Sequence, residues 1–215
     1  MLAVSLDIAN AFNTLPFSCI MAALYYHRVP HYLTRVLRDY FSNRCVVCVA
    51  GDGRLLRHEV GCGVPQGSVL GPLLWNIGYD WVLRGHLHRG LQVVCYADDT
   101  LVCAQAGDFD EATRLATEGV TEVISRITKL GLRVALNKTE ALCFHRPRKK
   151  PPPGARITIG ETDIEIRAQM RYLGLILDGR WTFREHFKYL APKLTRTSVK
   201  VRHNPLASLG ACGYP

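Results

Sequence analysis

Two adjacent carboxylates, Asp98 and Asp99, lie between two short β-prone runs, Leu91-Gln92-Val93-Val94-Cys95 before Tyr96-Ala97 and Thr100-Leu101-Val102-Cys103-Ala104 after. The pattern predicts a strand, a tight turn and a strand. An aspartate in a turn has a local reason to be there, because its side chain bonds nearby backbone N–H groups. That reason accounts for one aspartate better than for two. Carboxylates ~4 Å apart repel by about 4 kcal/mol at an effective dielectric of ~20. A hard cation cancels the repulsion, and oxygen-only ligation suits Mg²⁺. A third carboxylate, Asp7, ends a strand-like run in which Leu2, Val4 and Leu6 share one face and Ala3, Ser5 and Asp7 the other.

The chain that must position these groups has 215 residues, 48% hydrophobic and 21% charged, an ordinary globular composition for one large domain or two small ones. A formal charge of +9 suits a polyanionic partner, nucleic acid or an anionic membrane surface, and also serves plain solubility. No apolar run approaches the roughly 18–20 residues of a membrane span, and the first seven residues lack the basic region of a signal peptide. No membrane association is therefore expected, and an intracellular protein with reduced thiols is. Cys45-Val46-Val47-Cys48 has a zinc-like spacing without a second Cys/His pair at zinc-finger distance, so it reads as strand side chains. A strand beginning at the second residue and an end on Gly213-Tyr214-Pro215 suggest a fragment of a longer polypeptide.

In chain order, the strand to Asp7 is followed by a turn carrying Phe12, a helix from Pro16 to about Tyr26 and a helix over His31–Phe41. Cys45–Ala50 and Arg54–Val60 flank Gly51-Asp52-Gly53 as a β-hairpin. Gly61 to Ser68 is a glycine-rich loop of the kind that lets backbone approach a ligand, or simply connects. A buried helix is expected over Pro72–Leu87, then the aspartate hairpin. Asp108 and Glu111 have capping-box spacing for a helix whose stripe of Ala112, Leu115, Ala116, Val120, Val123, Ile124, Ile127 and Leu130 should lie against a sheet. Leu132–Leu136 and Glu140–Phe144 read as strands around Asn137-Lys138-Thr139. Residues 146–154 are a basic, proline-rich linker. A hairpin follows at Ile157–Ile159 and Ile164–Ile166, then a strand pair or bend at Tyr172–Asp178. Thr182 and Glu185 are spaced as a capping box for a last helix bearing Arg184, Lys188, Lys193, Arg196, Lys200 and Arg202.

These pieces together resemble a known family. Asp7-Ile8-Ala9-Asn10-Ala11-Phe12 resembles the first palm motif of reverse transcriptases, and Gly63 to Leu74 with its Val-Pro-Gln-Gly-Ser-Val-Leu core resembles the second. Tyr96-Ala97-Asp98-Asp99 looks like the third, Leu136-Asn137-Lys138-Thr139-Glu140 the fourth and Tyr172-Leu173-Gly174-Leu175 the fifth. Each alone is a weak signal; their order is a strong one. The forms are similar to non-LTR retrotransposons, and within them to insect type-1 elements that insert in ribosomal genes.

The resemblance implies an α+β fold, a polymerase palm of antiparallel sheet backed by helices with the start of a thumb and the fingers largely missing. It implies palm over 1–145, linker over 146–154, primer-grip region over 155–180 and thumb start over 181–215. The activity implied is RNA-directed DNA synthesis. Asp7 and Asp98, from separate strands, would hold two Mg²⁺ ions (Mn²⁺ as a substitute) ~3.5–4 Å apart, with the Ile8 carbonyl as a further ligand and Asp99 in support. Phe12 would exclude a ribose 2′-hydroxyl or simply fill the core, and Gln66 and Gly67 would meet the nucleotide. Lys138 would protonate pyrophosphate or merely decorate a hairpin. Tyr172, Leu173 and Gly174 would grip the primer, and Lys188, Lys193, Arg196 and Lys200 the nucleic-acid backbone. Partners implied are an RNA template, a DNA primer, dNTPs and the rest of a Pol polyprotein with its endonuclease, acting in the nucleus at target-primed insertion. A catalytically inactive remnant that only binds nucleic acid is the second class, and an RNA-templated RNA polymerase, disfavoured by Phe12 and the Pro-Gln-Gly loop, the third.

Overall fold

Leu2, Ala3, Val4 and Leu6 of the first strand, β1 (Leu2–Leu6), are each at most 1% exposed, so the chain begins by crossing its own core. The computed structural model describes residues 1–147 and 149–203, with side chains described through residue 196. After β1 come α1 (Ala11–Thr14), α2 (Phe17–Tyr26), α3 (His31–Phe41), β2 (Cys45–Val49), β3 (Leu55–Glu59) and α4 (Gly71–Tyr79). Then follow β4 (Leu91–Tyr96), β5 (Asp99–Ala104), α5 (Phe109–Lys129), β6 (Glu140–Cys143), β7 (Arg156–Ile159), β8 (Thr162–Arg167), β9 (Gln169–Tyr172), β10 (Leu175–Asp178) and α6 (Arg184–His203). The fold is α+β: a six-stranded sheet in the order β4-β5-β1-β6-β8-β7, and two separate hairpins, β2-β3 and β9-β10.

β1 is central, antiparallel to β5 on one side and β6 on the other. Its period-two alternation puts Leu2, Val4 and Leu6 in the main core and Ala3 in a second cluster with Leu142, Phe144, Met170 and Leu177. The expected stripe of α5 covers the first face. Ala112, Leu115, Ala116, Val120, Val123 and Ile127 are buried, and Asp108 caps the helix by accepting from the Glu111 N–H at 2.8 Å. The β9-β10 hairpin covers the second face at Ala3, so the strand is packed on both sides.

Three expectations fail for identifiable reasons. The helix expected over Pro72–Leu87 stops at Tyr79, continues as a 3₁₀ turn to Leu83 and leaves Leu73, Trp81 and Leu83 exposed. The buried Arg126 of α5 takes the carbonyls of Val82 (3.1 Å) and His86 (3.4 Å), and Gly85 adopts φ 101. Residues 132–136 form a single bridge, Val134 to Ile8, rather than a strand, because the chain turns into a 3₁₀ helix at Leu136–Lys138. The capping box of Thr182 and Glu185 does not form. Asp178 instead accepts from the N–H groups of Arg180, Thr182 and Phe183 and from the Thr182 hydroxyl, while Glu185 pairs with Lys188. Slight burial works against the Asp178 carboxylate, but those N–H bonds outweigh it and hold the carboxyl below its usual range. Cys45 and Cys48 are strand residues with free thiols.

Arg126 is 6% exposed, its Nε pairs with Glu122 at 2.9 Å, and its outer nitrogens hold two carbonyls of another segment. Arg126→Met keeps the stem and leaves those carbonyls without their donor. It should cost about 2–3 kcal/mol, read as a lowered urea midpoint at unchanged slope; an unchanged midpoint would show the 82–86 segment held by something else.

Candidate active site

The register of the central strands places the carboxylates. Leu6 pairs with Thr100, so Asp7, one residue past β1, is carried to the end of β5 where Asp99 starts. Tyr96 pairs with Asp99, leaving Ala97-Asp98 as a two-residue turn with Ala97 at φ 54. Asp7 is pinned from the far side: the Ala135 N–H donates to its carbonyl and the Ala9 N–H to the Arg133 carbonyl, both at 2.8 Å. Those two bonds flank Ile8, whose side chain is buried and whose own carbonyl is not used by the bridge.

Asp7, Asp98 and Asp99 therefore share one end of the sheet. Asp98 is half-buried and Asp99 more exposed. Desolvation first, then the charges of Asp98 and Asp7, push the Asp99 carboxyl up from its ordinary value. Lys138 is brought to the same point by the 3₁₀ turn, its Nζ 3.1 Å from Asp7 Oδ2. Among the described residues no group of three or more His, Cys, Asp or Glu side chains could enclose a metal alone. Oxygen ligands with a net negative charge, short of a closed cage, fit a hard divalent cation that takes its remaining ligands from phosphate and water.

Beside the carboxylates opens a cavity of about 550 Å³ whose walls include Phe12, Gln66, Gly67, Trp75, Tyr96 and Ala97. Its loop is tied to the segment that carries Phe12. The Val64 N–H donates to the Phe12 carbonyl at 2.6 Å and the Gly63 N–H to the Leu15 carbonyl at 2.8 Å. Gly63 adopts φ 92, and a Cβ there would lie 3.0 Å from the Asn13 carbonyl oxygen, so glycine is required by both backbone and space. Phe12 is half-buried against Trp75, ring centroids 4.7 Å apart.

Leu173 and Gly174 form the β9-β10 turn at φ 47 and 81. Tyr172 packs with Leu101 and Cys103 of β5 against the second core cluster, and burial, then the charge of Asp99, pushes its phenol up. On α6, Lys188 pairs with Glu185 at 2.6 Å, Lys193 sits 4.0 Å from the centre of the Tyr189 ring and Arg196 is exposed. The Lys200 and Arg202 side chains and residues 204–215 of the expected thumb lie outside the described residues. Reading the sequence missed a buried pair next to the site, Tyr79 and Thr100, joined at 2.7 Å. The available signal was a Thr in the inward register of an apolar strand, directly after the two aspartates.

Residues 1–177 match the family described as reverse transcriptase (RNA-dependent DNA polymerase). The chain is 28% identical over 158 residues to the Pol polyprotein from the type-1 retrotransposable element R1 of Bradysia coprophila, covering 73% of this chain and 15% of that protein. It is 28% identical over 171 residues to the probable RNA-directed DNA polymerase from transposon X-element of Drosophila melanogaster, covering 77% and 18%. It is 27% identical over 163 residues to the RNA-directed DNA polymerase from mobile element jockey of Drosophila funebris, covering 74% and 18%. The chain thus spans 15% to 18% of the length of these relatives. Its fold is similar to that of apo telomerase from Candida tropicalis truncated from the C-terminal domain, with a TM-score of 0.56 at 13% identity over 82% of this chain and 34% of that one.

The raised Asp99 carboxyl has a consequence for stability. A carboxyl whose folded pKa lies above its unfolded value of 3.8 favours folding below that value and loses this contribution as pH rises through the folded pKa. Asp99→Asn cannot ionise, so without divalent cations it should melt higher than wild type at neutral pH, and the gap should close as pH falls towards 3.8. A gap that ignores pH would show that neither burial nor the neighbouring charges raise this carboxyl.

Proposed function

The chain belongs to the family of reverse transcriptases (RNA-dependent DNA polymerases), and on that premise we propose that it carries the polymerising centre of a non-LTR retrotransposon Pol polyprotein. The reaction is RNA-directed DNA synthesis: a primer 3′-hydroxyl attacks the α-phosphorus of a dNTP, and pyrophosphate leaves. The observation that carries this reading is the meeting of Asp7, Asp98 and Asp99 at one sheet end beside the cavity lined by Phe12 and Gln66.

Two Mg²⁺ ions, or Mn²⁺ in their place, would supply charge neutralisation for the triphosphate and acidify the primer hydroxyl. Asp7, Asp98 and the Ile8 carbonyl are the groups that would hold them, with Asp99 adding negative charge from β5. Phosphoryl transfer asks chiefly for positioning and charge, which acids on a fixed sheet provide. Lys138, whose Nζ lies 3.1 Å from Asp7 Oδ2, would give its ammonium proton to the departing pyrophosphate. Phe12 fills the space a 2′-hydroxyl would need, and Gln66 and Gly67 face the nucleotide across the same cavity. Tyr172, Leu173 and Gly174 hold the primer end. Lys188, Lys193, Arg196 and Lys200 follow the backbone of a near A-form hybrid, which is read by shape rather than base edges. RNA template, DNA primer and dNTPs are thus the partners. The endonuclease would lie elsewhere in the polyprotein, and the site of action would be the nucleus.

The test is primer extension on an RNA template by the full-length polyprotein. Asp7→Asn and Asp98→Asn should each lower synthesis by at least about a hundredfold with the fold retained by circular dichroism. Extension near the wild-type rate by either would sink the assignment.

Sugar choice gives an independent check. Phe12→Ala opens space beside C2′, so the rNTP to dNTP incorporation ratio should rise by roughly tenfold or more, one steric contact being worth ~1–3 kcal/mol. An unchanged ratio would return Phe12 to the role of a core residue against Trp75.

A further inference from the structure

The aromatic wall of the cavity continues inward. Phe12 lies on Trp75, and Trp75 stacks on Tyr79 with centroids 5.0 Å apart and planes at 17°. The indole N–H of Trp75 is buried with no hydrogen-bond partner among the described residues, so core packing and ring contacts hold the ring. The Tyr79 hydroxyl is 2.7 Å from Thr100 Oγ1 in a buried contact, and the fully buried Thr100 hydroxyl donates, at 3.4 Å, to the backbone carbonyl of Asp98.

A threonine hydroxyl has one proton to give. Directed at the Asp98 carbonyl, it leaves the Thr100 oxygen to accept from Tyr79, and burial pushes the Tyr79 phenol up, keeping its proton in place. The bonds therefore run one way, from Tyr79 through Thr100 to the backbone of Asp98. Cys95 Sγ, 3.7 Å from the same Thr100 oxygen, is a weak third partner. The turn these bonds hold has a need for them. Ala97 sits at φ 54, a conformation that costs a residue with a Cβ about 1–2 kcal/mol and persists only where the surroundings enforce it.

We propose that Tyr79 and Thr100 are positioning residues that hold the Asp98 turn in place against the cavity lined by Phe12 and Trp75, an inference that rests on the polymerase reading above. They act on Asp98 through its backbone, and their hydroxyls are the parts that act.

The experiment is steady-state primer extension by the full-length polyprotein, with melting temperatures recorded in parallel and rates taken well below them. Tyr79→Phe and Thr100→Val remove one hydroxyl each with little change of volume. Each should lower kcat by roughly three- to tenfold, with the KM for dNTP within about twofold of wild type. The double variant should lose no more than the worse single one, because both cut one chain of bonds. Thr100→Ser, which keeps the hydroxyl, should restore kcat. Unchanged kcat in both single variants, whatever happens to their melting temperatures, would overturn the proposal, as would multiplying losses in the double. Asp98→Asn separates the two readings. If it is as active as wild type, the polymerase reading fails; if it is inactive while Tyr79→Phe and Thr100→Val both match wild type, only the positioning role fails.

Discussion

Like charges at one point need a frame that does not yield, and here the frame is a strand buried on both faces. Only Ser5 of β1 is partly exposed: α5 closes over Leu2, Val4 and Leu6, and the β9-β10 hairpin over Ala3. Sliding β1 by one residue against β5 would exchange the two buried sets and expose or crowd side chains on both faces at once. The register Leu6 to Thr100 is thereby locked, and with it the placement of Asp7 next to the Asp98-Asp99 turn. The mutual repulsion of the carboxylates is thus held against the burial of the whole strand, with Lys138 offsetting part of it at Asp7.

The cavity is joined to that frame by backbone rather than by side chains. Gly63 and Val64 donate to carbonyls of the segment holding Phe12, so the loop and the aromatic ring move as one piece. Backbone bonds of this kind are indifferent to most side-chain substitutions, and the one strict demand, at Gly63, is conformational. The wall of the cavity formed by this loop can therefore vary in chemistry while keeping its geometry relative to Asp7.

Local pattern made a good part of this legible from sequence. The β4-β5 hairpin, the stripe and cap of α5 and the β2-β3 hairpin all follow from spacing within a short window, and all are present. What sequence did not disclose depends on partners distant along the chain. The irregular chain after α4 is held by Arg126, 44 residues from Val82, whose guanidinium takes the Val82 carbonyl. Asp178 captures the N–H groups at the entrance to α6 before Thr182 can cap it. Thr100 looks like any strand threonine until Tyr79 of α4 is placed above it. At the site, ordered motifs indicated which residues to compare, whereas the ion pair of Lys138 with Asp7 required the 3₁₀ turn at Leu136–Lys138.

The connection from β6 to β7 leaves the sheet and returns so that β8 can lie parallel to β6. The ends of this connection are tied down, by the Phe144 N–H to the Met1 carbonyl, the His145 N–H to the Gly179 carbonyl and the Ile166 N–H to the Ala155 carbonyl, whereas the other described backbone bonds within it are local, Lys149 to Arg146 and Ala155 to Pro152. Nothing in the register of Ala141 with Ile166 depends on how many residues make the excursion. Doubling such a loop costs only about 0.6 kcal/mol of closure entropy. This is where descendants of the chain can gain or lose whole segments, including a new binding module, without any strand learning of it.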